Sequence, residues 1–138
     1  MKYIVQRKRA SPERQICVAF ARCIFVLEAT KYFPEGTIWF HIPNGQRAGS
    51  DDRARQIAGA IDKSMGVKTG VSDYLFAAPG KPILWLEAKA PYGSQSTAQA
   101  DFEEQALKGG HYYKVFRSPE EGLAAVEEYI GQILPIRF

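Results

Sequence analysis

Residues 73–89 read DYLFAAPGKPILWLEAK. Two apolar runs, Tyr74 to Ala77 and Ile83 to Ala88, flank a turn around Pro79-Gly80, which predicts a hairpin of two strands. The second run leads straight into Glu87 and Lys89, charged residues that a buried strand ordinarily excludes. Side chains alternate along a strand, so Glu87 and Lys89 share one face, about 7 Å apart at Cα, while Leu84, Leu86 and Ala88 share the other. The loop decides where Asp73 falls. With Pro79-Gly80-Lys81 as a three-residue loop, Ala78 lies opposite Pro82 and Asp73 opposite Glu87. A two-residue loop would set Asp73 against Leu86 and turn it to the wrong face.

In the first register two carboxylates come within about 5 Å, and like charges so placed repel unless something positive sits between them. A divalent cation would supply that charge. Two carboxylates, a backbone carbonyl and water suit Mg²⁺ or Mn²⁺ rather than zinc, whose His and Cys ligands are missing here. Lys89 is placed to position a water or to stabilise negative charge developing on a phosphate. The bland alternative is a weak ion pair on an exposed strand face, with the aspartate capping a backbone N–H near the turn.

Outward from the hairpin, Ser96-Thr97-Ala98-Gln99 has the form of a capping box and predicts a helix to about Lys108, closed by Gly109-Gly110. His111 to Phe116 reads as a further strand. Ser118-Pro119-Glu120-Glu121 opens a last helix, with Leu123, Val126, Ile130 and Ile133 on one face. Toward the N-terminus, Ile38 to Ile42 is a short strand stopped by Pro43-Asn44-Gly45, and Ser50 to Met65 a helix capped by Ser50 or Asp51 and ended by Gly66. Ser11-Pro12-Glu13 starts the first helix, along which Ile16, Ala19, Phe20, Cys23, Ile24 and Leu27 keep amphipathic spacing. The order is α, β, α, β, β, α, β, α, an α/β chain with a mixed sheet.

The 138 residues, 46% hydrophobic and 24% charged, suit one domain. The net charge of +3 is compatible with a polyanionic partner and selects none. No apolar run reaches membrane-spanning length and the N-terminus lacks a signal-peptide core, so the expectation is a soluble, cytoplasmic protein. Cys17 and Cys23 fit core thiols rather than a disulfide framework or zinc site, and no Walker A loop, nucleophile elbow or dinucleotide fingerprint occurs. His41 and His111 read as locally bonded strand residues. Trp39, Trp85, Tyr112 and Tyr113 read as packing, and Arg7-Lys8-Arg9 as a solvated run that could touch a DNA backbone.

Gly70-Val71-Ser72-Asp73-Tyr74-Leu75, the short hairpin, Leu86-Glu87-Ala88-Lys89, Gln99 within a helix and Gly109-Gly110 before a strand together resemble the VRR-NUC nucleases of the PD-(D/E)xK superfamily. The similarity runs from about Glu13 to Glu128 and includes Asn44. It implies a restriction-endonuclease-like fold, a central mixed sheet flanked by helices, in a single nuclease domain over residues 1–138. It further implies that Asp73 and Glu87 hold Mg²⁺ or Mn²⁺ with the Ala88 carbonyl, that Lys89 is the catalytic lysine, and that Glu13 and Gln99 belong to the site, Glu13 as a further candidate ligand. Glu13 is equally an acidic residue favoured by a helix N-terminus, and Gln99 is also the third residue of a capping box, two roles that compete for one amide. Asn44 and Arg47 are substrate-contact candidates, although Asn-Gly is first of all a turn. Two departures stand out: Ser72 replaces the signature proline, and Glu103 stands where some branches carry a tyrosine.

These residues point to a metal-dependent deoxyribonuclease. Stand-alone members of the resembled family imply a homodimer acting on branched or Holliday-type DNA. The alternatives are a DNA-binding module that keeps the nuclease fold without cutting, and a sequence-reading endonuclease, for whose base-reading element the chain has little room.

Overall fold

The computed structural model describes residues 10–43 and 51–136. Among them the elements run α1 (Pro12–Ala29), β1 (Ile38–His41), α2 (Asp52–Ser64), β2 (Tyr74–Ala77), β3 (Leu84–Ala88), α3 (Thr97–Lys108), β4 (Tyr112–Phe116) and α4 (Pro119–Ile130). This is the expected order. The four strands form one sheet in the order β1-β2-β3-β4. β1, β2 and β3 pair antiparallel, and β4 joins β3 in parallel through the α3 crossover, so the sheet is mixed.

The helix starts follow from local chemistry. Ser11 Oγ accepts from Arg14 N and Pro12 opens α1. Asp51 Oδ1 accepts from Ala54 N at 2.7 Å, so Asp51 caps α2, and the alternative cap Ser50 lies outside the described residues. Ser118 Oγ caps α4 through Glu121 N, while Glu121 reaches one residue further back than a capping box, to Arg117 N. α4 stops earlier than its apolar spacing predicts. Gly131 takes a left-handed conformation (φ 72°) and turns the chain, so Ile133 is 75% exposed and Leu134 occupies the inner position instead.

Strand alternation sorts the sheet into two faces. One carries Tyr74, Phe76, Leu84, Leu86 and Phe116, buried beneath α1 and α4. Phe20 of α1 sits at its centre, with ring centroids 5.1 Å from Tyr74 and 5.0 Å from Phe116. Gly122 lets α4 approach, since a Cβ there would stand 2.7 Å from the Phe20 ring. The other face carries Asp73, Trp85, Glu87 and Tyr113. α3 covers it through Phe102, 5.0 Å from Trp85 and perpendicular to it. The charged end of β3 is therefore roofed by a helix rather than open to water.

Candidate active site

The observed register pairs Tyr74 with Leu86, Leu75 with Trp85 and Phe76 with Leu84. Continued by one residue, it sets Asp73 opposite Glu87, as the three-residue loop requires, and Lys81 N donates to Ala78 O across that loop. Ile42 N, just past the end of β1, donates to Asp73 O at 2.7 Å and fixes the aspartate backbone. Asp73 Oδ2 accepts from Ala88 N at 2.8 Å. Because the N–H and C=O of one strand residue leave toward the same edge, the Ala88 carbonyl is directed to the side where Asp73 sits.

Glu87 and Lys89 are buried, with side chains 4% and 8% exposed and Lys89 Nζ 3.8 Å from Glu87 Oε1. A surface ion pair, the bland reading of this dyad, requires exposure that neither side chain has. Glu87 Oε1 also accepts from Gln99 Nε2 at 2.8 Å, whereas Oε2 is buried with no hydrogen-bond partner. Burial is the largest influence on the Glu87 carboxyl and the nearby Asp73 charge the next, and together they push its pKa up to about 8 although Lys89 acts the other way. Asp73 is also raised, again chiefly by burial, with the Ala88 N–H opposing. Without a cation the two carboxyls are close enough to share a proton.

Gln99 resolves the competition between its two roles by dividing its amide. Its Oε1 accepts from Ser96 N and completes the capping box, while its Nε2 holds Glu87. The cap that starts α3 thus also aims the glutamine. Gly70 brings the preceding loop onto the same turn: its φ is +84°, and a Cβ there would stand 2.4 Å from the Ala98 carbonyl. Ser72 stands fully buried in the place of the signature proline, near the Tyr113 hydroxyl.

Glu13 lies in the first turn of α1 at the rim, its Oε1 3.5 Å from Ala90 N. No three carboxylate, imidazole or thiol side chains among the described residues converge as a ready ligand set. The Glu13 charge nevertheless reaches both Asp73 and Glu87 and raises each of them. Asn44, Arg47 and the Arg7-Lys8-Arg9 run lie outside the described residues.

His111 is a structural residue whose Nδ1 accepts from Ile83 N. His41 was expected to be one too, yet it opens into the cleft beside Asp73, whose charge it favours, with its ring 5.0 Å from that of Tyr74. That neighbour relation depends on β1 pairing with β2, which no local pattern encodes. Cys17 borders the cleft as well, but burial followed by the Asp73 charge pushes its thiol up to about 11, so it stays protonated and unreactive.

Glu13, Cys17, His41, Asp73, Glu87 and Gln99 line a cleft of about 1520 Å³ between the strand ends, the starts of α1 and α3, and one side of α2. It exceeds the roughly 300–1,000 Å³ usual for a small-molecule pocket.

A solved structure titled "VRR_NUC domain protein" superposes with a TM-score of 0.60 over 90% of this chain and 92% of its own, at 18% sequence identity. The chain has the VRR-NUC fold. At that identity the likeness is one of fold, and no family model or curated protein matches the chain. Within this VRR-NUC fold Asp73, Glu87, Lys89 and Gln99 meet at the ends of β2 and β3 and the start of α3.

Proposed function

We propose that the chain is a divalent-metal-dependent deoxyribonuclease that hydrolyses phosphodiester bonds in branched DNA. The observation that carries this reading is the buried Asp73–Glu87 pair, with Glu87 raised by burial and by the Asp73 charge, next to a buried lysine. Two carboxyls in a low-dielectric site are costly to ionise together unless a cation meets them. The donors are all oxygen, which fits Mg²⁺ or Mn²⁺ held by Asp73, Glu87 and the Ala88 carbonyl. Bound there, the ion supplies Lewis-acid chemistry toward a phosphate.

The chain's own residues do the rest. Lys89, kept in place by burial, orients the attacking water and stabilises charge on the phosphate as it develops. Water oxygen bonds to phosphorus and gives up a proton to solvent, the bridging P–O bond breaks, and the leaving oxygen takes up a proton from solvent. Gln99 keeps Glu87 from rotating away, and Glu13 completes the acidic rim. The homodimer belongs to the same proposal, supported by the outward apolar side of α2 described below.

The experiment is cleavage of labelled linear, flapped, forked and four-way DNA in Mg²⁺, Mn²⁺ or EDTA. Cutting is expected with either metal, preferentially on branched substrates, and not with EDTA. Tight, salt-sensitive binding without cutting in any metal would leave a DNA-binding module instead.

A further inference from the structure

Directly after Lys89 the chain turns through Ala90-Pro91-Tyr92-Gly93, outside the cleft. Gly93 N donates to Ala90 O at 2.9 Å to close the turn, and Pro91 fixes its own φ. Arg117 then clamps both ends: its Nη1 donates to Ala90 O at 2.8 Å and to Gly93 O at 2.6 Å. Such charge-assisted bonds are strong ones. Arg117 is itself tied to the first turn of α4, since its backbone N–H donates to Glu121 Oε2 at 2.7 Å. The loop is thus anchored to the body of the molecule by a dedicated arginine.

At its tip Tyr92 is 103% exposed, so none of the described residues covers its ring. Aromatic rings are ordinarily among the best-buried side chains, and here one is held out in water on an ordered support. Tyr92 lies three residues beyond Lys89, a reach of at most about 11 Å, or roughly three steps of 3.4 Å along a DNA strand.

Building on the nuclease reading above, we propose that Tyr92 is a base-stacking contact that selects nucleic acid with an unpaired or splayed base beside the scissile phosphate. Every base has a π face, so a stacking ring tolerates any sequence. In a continuous duplex those faces are already covered by neighbouring base pairs. A flap, a single-stranded arm or a branch point leaves one free for the tyrosine. Tyr92 thereby supplies selectivity for DNA structure without any element that reads base edges.

The test is fluorescence anisotropy in EDTA, where no cutting occurs, with wild type, Tyr92→Ala and Tyr92→Trp on single-stranded, flapped and four-way DNA and on a duplex closed by hairpins at both ends. Tyr92→Ala is expected to weaken binding to the first three by roughly 5- to 150-fold and to leave the closed duplex unaffected, while Tyr92→Trp keeps wild-type affinity. A 2-aminopurine placed at the branch is expected to be quenched by wild type and not by Tyr92→Ala. Tyr92→Ala that binds every substrate as tightly as wild type does, an equal loss on the closed duplex, or no DNA binding by wild type would overturn the proposal. Binding that depends on Tyr92 without cutting in Mg²⁺ or Mn²⁺ would sink the nuclease reading and keep the stacking contact. Cutting and binding that are indifferent to Tyr92→Ala would do the reverse.

Discussion

Glu87 is a carboxyl roofed by α3, and its pKa, raised from an ordinary 4.5 to about 8, has a thermodynamic consequence. The folded chain holds this proton more tightly than the unfolded chain does. The associated stability is present in full below pH 4.5 and is lost as pH rises through about 8. Metal-free protein is therefore expected to melt at progressively lower temperature between pH 5 and pH 8, and Glu87→Gln is expected to flatten that slope. An unchanged slope in the variant would show that the proton sits elsewhere. Mn²⁺, which favours the ionised pair, is expected to restore the melting temperature at pH 8. The pairing of Asp73 with Glu87 was legible in the sequence only on condition of a three-residue loop, and the observed register meets that condition. The burial of Lys89 was not legible, since it comes from tertiary packing that no local pattern encodes. Gln99 looked overcommitted only because the amide was counted as one group, whereas its oxygen and nitrogen point to different partners.

At the scale of elements, two glycines mark where backbones come closest. A Cβ at Gly122 would stand 2.7 Å from the Phe20 ring and 3.0 Å from the Phe116 ring, so Gly122→Ala is expected to cost about 1–3 kcal/mol in a urea titration through overpacking of α4 against α1. Gly70→Ala meets backbone rather than a ring and also strains a positive φ. It is expected to push the first turn of α3 away and to lower the cleavage rate more than the remaining folded fraction accounts for. If activity tracked only that fraction, Gly70 would have no part in aiming Gln99. All eight elements were readable from apolar period, capping residues and glycine stops, because those signals are local. Ile133 misled because its spacing continues that of α4 while Gly131 has already turned the chain. The approach of His41 to Asp73 and the clamp of Arg117 on the 90–93 loop are tertiary, and no spacing announces them.

For the molecule as a whole, α2 is an amphipathic helix facing the unusual way. Asp52, Arg55, Gln56, Gly59, Asp62 and Lys63 line the cleft, whereas Ile57, Ile61 and Met65, four residues apart on one side, are 54%, 50% and 66% exposed. α2 contains no buried residue. In the proposed homodimer this stripe meets a second copy, and Ile57→Asp with Ile61→Asp is expected to halve the mass found by light scattering without unfolding the domain. Wild type that is monomeric at every concentration would remove the dimer from the account. No helix among the described residues is long and apolar enough to cross a membrane, so this stripe is too short for a span. The most direct test of the central claim joins cleavage to metal binding in one variant: single-turnover cutting of four-way DNA by wild type and Lys89→Ala, with Mn²⁺ affinity of each measured by calorimetry. The account predicts that Lys89→Ala still binds Mn²⁺ through Asp73 and Glu87 but cuts roughly 10²-fold or more slowly. Wild-type cutting by Lys89→Ala, or a wild type that neither binds the ion nor cuts, would contradict it.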